Sequence, residues 1–234
     1  MKGVGQVGDL PGALAPAPLS HDAADVVLLH GFMSSPLSMR RLGRTLRSAG
    51  FGAHIPWYPS WSAPLDVIAE RIAEALARRA VGTSRPVHFV GHSMGGLIAR
   101  AVIDRLQPAR IGRVVMIGTP NGGSELADFC AARPLLRPIL GRAEPALVTR
   151  RDHPAIASLA PPHYPVGVIA GDRPLPGMLR IVPPPHDGKV TVAATHLEGE
   201  ADHIILPVSH VLMPFDHRVG RQTRAFLEQG RFLH

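Results

Sequence analysis

The stretch that most restricts how this chain can fold is a strand that turns directly into a helix around a serine. Val87-His88-Phe89-Val90 reads as a buried strand, and Gly91-His92-Ser93-Met94-Gly95-Gly96 follows it. Met94, Leu97, Ile98, Ala101, Val102 and Leu106 then recur at helical spacing. A serine on so sharp a turn takes an unfavourable backbone conformation, and side chains two positions either side of it would collide. Glycines at 91 and 95 remove those side chains, and Gly96 lets the helix approach further. The Gly-x-Ser-x-Gly pattern is common by chance. The strand before it and the helix after it give it meaning. Such a turn lifts the Ser93 hydroxyl clear of the sheet, near a helix N-terminus whose dipole favours negative charge. The alternative is a serine that merely caps a helix in a glycine-rich turn.

Around this turn the chain alternates short apolar runs with amphipathic stretches. Val26-Val27-Leu28-Leu29, Ala53-His54-Ile55, Val114-Val115-Met116-Ile117, residues 166–170 and Ile204-Ile205-Leu206 are expected as further strands. Helices are expected from Ser35-Pro36 to Gly50, from Leu65 to a close at Gly82, after Ser93, and from Phe215 to Gln229. Continuous apolar strands separated by helices predict an α/β fold: a doubly wound, mostly parallel sheet covered on both faces. Residues 125–165 break the rhythm, being proline-rich and weakly periodic. A small cap or lid insertion is expected there, with ordinary packing helices as the alternative. Residues 1–24 read as a loosely structured lead-in, and 25–234 as one domain, which 234 residues suit.

Composition narrows the partners. The net charge of +7 comes from 25 basic against 18 acidic residues, and all the basic ones are arginine except Lys2 and Lys189. No basic run exceeds two residues and no nucleic-acid motif occurs, so no nucleic-acid partner is expected. Cys130 is the single cysteine, which rules out an intramolecular disulfide and any cysteine metal cluster. Thirteen histidines show no ligand spacing such as His-Glu-x-x-His, so no metal is expected. No secretory signal or apolar stretch of about 18 residues is seen, and a cytoplasmic protein is the expectation. Transient contact with a lipid interface is compatible with it.

A hydrolytic serine needs amide donors for the oxyanion of its tetrahedral intermediate. The Met94 N–H, next after the serine, is one. The Phe32 N–H is the other, in His30-Gly31-Phe32 directly after an early strand, where Gly31 permits the turn. Thr119 to Ser124, after the fourth strand, is expected to border the site, with Ser124 capping the next helix. Trp57, Tyr58 and Trp61 either line an acyl or alcohol pocket or brace their loop.

Three segments together carry a family resemblance. Val27-Leu28-Leu29-His30-Gly31-Phe32, Gly91-His92-Ser93-Met94-Gly95-Gly96 and Gly118-Thr119-Pro120-Asn121-Gly122-Gly123-Ser124 resemble the bacterial lipase and esterase branch of the α/β-hydrolases. The chain is also similar to the GPI inositol-deacylase group. The likeness spans residues 25–125 strongly and the last fifty in pattern only. It implies an eight-stranded, mostly parallel sheet and acyl-ester hydrolysis without a redox or nucleotide cofactor. The substrate would be a small ester or a lipid.

In this architecture the triad runs serine, acid, histidine along the chain. His210 fits the base best, two residues beyond the apolar run that ends at Val208; His186, His196, His203 and His217 fit worse. For the acid, Asp187 in Asp187-Gly188-Lys189-Val190 resembles the Asp-Gly-x-Val element of this lipase branch. Asp172, right after Val168-Ile169-Ala170-Gly171, is the competitor, and Asp187 has an alternative role as a plain turn residue. His92 is expected to give packing support. A thioesterase, amidase or acyltransferase would use the same parts. A non-catalytic binding protein on this scaffold is the alternative from another class.

Overall fold

The computed structural model describes residues 24–82, 84–176 and 181–234. The lead-in expected over residues 1–24 therefore lies outside the described residues, except for Ala24. The apolar runs form strands β1 (Asp25–Leu29), β2 (Gly52–His54), β3 (Val87–His92), β4 (Ile111–Ile117), β5 (Val166–Gly171) and β6 (Asp202–Leu206). They pair in the order β2-β1-β3-β4-β5-β6, and every pairing is parallel. The eight strands implied by the family resemblance are thus six among the described residues.

Because strand side chains alternate, each face of the sheet needs its own cover. Val27, Leu29, Phe89, Val114, Met116 and Val168 point to one face. There they meet α2 (Leu65–Ala77) and α3 (Met94–Leu106). Val26, Leu28, Val90, Val115, Ile117 and Ile169 point to the other, against α1 (Pro36–Ser48) and α9 (His217–Gln229). The sheet is doubly wound, as the sequence pattern implies. Helix α2 ends at Ala77, short of the expected Gly82, and its chain turns back through Ala80 at φ 53°. Helix α9 begins at His217, where Asp216 accepts the Arg218 N–H, rather than at Phe215.

Residues 125–165 contain four short helices, α4 (Glu125–Ala131), α5 (Arg137–Leu140), α6 (Glu144–Leu147) and α7 (Pro154–Ala157), with a 3-10 turn at Gly141–Ala143. Leu140, Ala143, Ala146, Leu147, Ile156 and Leu159 are buried in the core beside α2 and α3. The segment is therefore packed onto the domain. Helix α8 (Val192–Thr195) leads into β6.

The chain leaves β1 for one side of the sheet and returns through β3 to build the other. The carboxyl ends of β1 and β3 thus flank the switch point, the crevice where open α/β sheets place their ligands.

Candidate active site

Ser93 sits in that crevice, between β3 and α3, with φ 55° and ψ −129°. Such a conformation costs a non-glycine residue about 1–3 kcal/mol and persists only where its surroundings hold it. Here the Ser93 N–H donates to the Ile117 carbonyl at 2.8 Å, and the Ser93 carbonyl accepts from Gly96 N–H at 3.0 Å. A Cβ at Gly91 would strike the backbone of Gly95 and Gly96, and one at Gly95 would strike the Leu29 and His30 carbonyl oxygens. The elbow can close this tightly only with hydrogen at both positions. Met94 begins α3, so its N–H belongs to the first-turn amides that have no acceptor within the helix.

His210 lies on the loop after β6, and its Nε2 is 2.9 Å from the Ser93 hydroxyl oxygen. Its Nδ1 is 2.7 Å from Asp187 Oδ2. Both side chains are buried. Asp187 occupies a tight turn in which its other oxygen, Oδ1, accepts the Lys189 N–H at 2.9 Å and the Val190 N–H at 2.8 Å. Burial alone would raise the Asp187 pKa. The His210 charge, the His210 hydrogen bond and the two amides outweigh it and hold the carboxyl below its ordinary value. The turn role and the acid-type geometry, read as alternatives from sequence, coexist because each uses a different oxygen. Asp172, the competitor, follows β5. Its amide donates to the Leu206 carbonyl, and its carboxylate lies 3.9 Å from Arg173.

The backbone of His210 is pinned on both sides. Its N–H donates to the Asp187 carbonyl at 2.9 Å. Its carbonyl accepts a hydrogen bond from His92 Nε2 at 3.0 Å. That bond requires the proton on Nε2 of His92, leaving a buried Nδ1 without a partner. Burial first, then the neighbouring His210 charge, push the His92 pKa down to about 3, so its ring is neutral at ordinary pH. His92 is thus a link from the elbow to the imidazole-bearing loop, which its reading as packing support did not include. The two residues stand 118 positions apart, so no local pattern carries the link.

The loop after β1 presses on the same elbow. A Cβ at Gly31 would lie 2.9 Å from the Ser93 Cβ. His30 is fully buried beneath this loop, donating from Nδ1 to the Gly31 carbonyl at 3.0 Å and stacking on Tyr58 at 3.9 Å between ring centroids. The Tyr58 hydroxyl donates to the His30 carbonyl at 2.5 Å. Burial holds the His30 pKa below its ordinary value.

A cavity of about 450 Å³ opens onto Ser93 and His210. Gly31, Phe32, Ser93, Pro120 and Ser124 stand on its wall. Leu126, Ala127, Cys130, Ile139, Leu140 and Leu147 supply an apolar side from residues 125–165. Ser124 also caps α4, accepting the Ala127 N–H, as its position before that helix predicts. Trp57, Tyr58 and Trp61, which the sequence leaves open between lining a pocket and bracing their loop, lie off this wall, as does His30. His30 and Tyr58 are buried and brace the loop after β1. Trp57 is 73% exposed beside a separate groove with His54 and Ile72. Trp61 donates from Nε1 to the Ile139 carbonyl and so steadies residues 139–142.

Among the described residues, His196, Glu200 and His203 bring donor atoms within 4.8 Å of one another. The two rings lie nearly parallel, 4.0 Å apart, so their in-plane lone pairs do not converge. The Thr195 hydroxyl donates to the Val192 carbonyl and accepts from His203 Nε2, which occupies that nitrogen. The cluster is hydrogen-bonded and lies off the cavity wall. No helix among the described residues is long and apolar enough to cross a membrane.

Residues 26–229 match the Alpha/beta hydrolase family, and the chain belongs to it. No protein of curated function matches it. Among solved structures it is similar to the mature form of the Bacillus licheniformis lipase BlEst2, with a TM-score of 0.63 and 17% identity over 92% of this chain and 94% of that one. It is also similar to the metagenomic carboxyl esterase MGS0156, with a TM-score of 0.63 and 18% identity over 91% and 71% of the two chains. A third is RedJ, a thioesterase from the prodiginine biosynthetic pathway of Streptomyces coelicolor: TM-score 0.54, 17% identity, 87% and 85% covered. At these identities the likeness is one of fold.

Proposed function

We propose that the protein is a serine hydrolase that cleaves carboxylic esters through Ser93, His210 and Asp187. The observation that carries this reading is the unbroken contact chain from the Ser93 hydroxyl through His210 to Asp187, at 2.9 and 2.7 Å, opening on a cavity. His210 Nε2 takes the Ser93 proton as the hydroxyl oxygen attacks the ester carbonyl carbon. The tetrahedral oxyanion is held by the Met94 and Phe32 amides. Collapse expels the alcohol, which receives the proton from His210, and leaves an acyl group on Ser93. Water, deprotonated by the same imidazole, then releases the acid and restores the serine. Asp187 keeps the proton of the resting imidazole on Nδ1 and stabilises the imidazolium.

The apolar wall suits an acyl chain or other apolar group. Met33, Ile139, Val211 and Phe215 are 65%, 47%, 40% and 41% exposed on that wall, which supports amphiphilic substrates and contact with a lipid surface. A fluorophosphonate probe tests the reading: it should label the wild type and not Ser93→Ala. Absence of labelling, or labelling undiminished in the variant, would refute it. A matched ester and thioester series, taken across the critical micelle concentration, then separates esterase, lipase and thioesterase. A rate that jumps at the interface would support a lid formed by residues 125–165.

A further inference from the structure

Lys189 is the one lysine among the described residues, and it stands on the wall of the Ser93 cavity. Its backbone is fixed on both sides. The N–H donates to Asp187 Oδ1 at 2.9 Å, and the carbonyl accepts the Ser124 hydroxyl at 2.6 Å. The side chain, by contrast, makes no hydrogen bond or ion pair among the described residues. It is partly buried, and burial depresses its pKa against the opposing pull of Asp187. Asp187 cannot serve as its partner, since one oxygen faces His210 and the other holds two amides. Glu125, next to Ser124, forms no ion pair with it. A lysine on a largely apolar wall, with no hydrogen-bonded counter-charge among the described residues, is better satisfied when an anion arrives.

We propose that Lys189 is an anion-recognition point of this cavity, and that the favoured substrates are apolar esters carrying a carboxylate or comparable anionic group. This rests on the hydrolase reading above, and it adds the substrate class. An ammonium on a flexible stem suits the task, because its donors can rotate onto a carboxylate once the scissile carbonyl is seated. The anion belongs to either the acyl or the alcohol half of the ester, and two substrate pairs distinguish these.

Mono-p-nitrophenyl adipate against its methyl-capped diester probes the acyl side. 4-(Butanoyloxy)benzoate against its methyl ester probes the alcohol side. With rates corrected for hydroxide-catalysed hydrolysis, kcat/KM of the wild type should favour the anionic member by about tenfold or more in one pair. That ratio should weaken with added salt. It should collapse toward unity in Lys189→Met, survive in Lys189→Arg and invert in Lys189→Glu. Equal rates in both pairs for the wild type, or a preference that persists in Lys189→Met, would overturn the proposal. Fluorophosphonate labelling of Ser93 is followed in parallel. Loss of labelling in the wild type defeats the hydrolase reading itself, whereas intact labelling without anion preference defeats only the role of Lys189.

Discussion

Replacing Asp187 by asparagine should leave the fold intact and nearly abolish turnover. Asp187 Oδ1 accepts two backbone N–H groups, from Lys189 and Val190. An asparagine must keep its carbonyl oxygen there, because its NH2 cannot face two donors. Its NH2 is thereby aimed at His210 Nδ1, where Oδ2 now lies at 2.7 Å. The imidazole then has to accept on Nδ1 and carry its proton on Nε2, the nitrogen 2.9 Å from Ser93. In that tautomer it cannot take the serine proton. Loss of this function elsewhere lowers kcat about 10⁴-fold, and at about 1.4 kcal/mol per decade the barrier rises by about 5 kcal/mol. Asp187 is absent from the cavity wall, so KM should barely change. The assay is steady-state hydrolysis of a short p-nitrophenyl ester by the wild type, Asp187→Asn and Asp172→Asn. A large kcat loss in Asp172→Asn with little in Asp187→Asn would refute the reasoning.

Removing the donor of His92 with phenylalanine strands the buried His210 carbonyl, and kcat should fall about tenfold, with glutamine recovering part of it. Since the His92 pKa is pushed down to about 3, the wild-type-to-variant ratio should be flat from pH 5 to 8; a ratio that titrates in that range would contradict a neutral structural donor. Asp187 is held below its ordinary pKa, so its ionised form stabilises the fold above the unfolded value of about 3.9, and this contribution fades as pH falls through the lower folded value. Urea midpoints should accordingly show the gap between the wild type and Asp187→Asn constant above about pH 5 and narrowing below about pH 4. Gly95→Ala drives a methyl into the Leu29 and His30 carbonyls and should destabilise by about 1–3 kcal/mol, read as a lower melting temperature together with weakened fluorophosphonate labelling.

Much of this architecture is legible in the chain itself. Each expected strand is found with its ends within three residues, because a buried parallel strand must be an apolar run. Ser93 stands out because its strain demands glycines two residues away on either side. Ser124 caps its helix as its neighbours require. Choices stay open where one residue type serves two ends. An aromatic group after a strand suits a pocket or a brace, and only the inward packing of Tyr58 on His30 decides for the brace. Lys189 is one of two lysines in an arginine-rich chain and lies two residues past a candidate acid, but its place on the cavity wall is not given by its neighbours in sequence. The resemblance implies eight strands, and six stand among the described residues.

By itself, then, the sequence determined the alternation of strand and helix, the elbow at Ser93 and the turn at Asp187. These depend on periodicity and backbone sterics between residues a few positions apart. Only the tertiary structure decided that Asp187 rather than Asp172 faces His210, that His92 holds the His210 loop, and that Lys189 stands on the cavity wall. The Asp187–His210 and His92–His210 contacts join residues 23 and 118 positions apart, and the Ser93–His210 contact joins residues 117 apart. Nothing in the chain near either partner specifies them; they exist only once the parallel sheet has brought the carboxyl ends of its strands together.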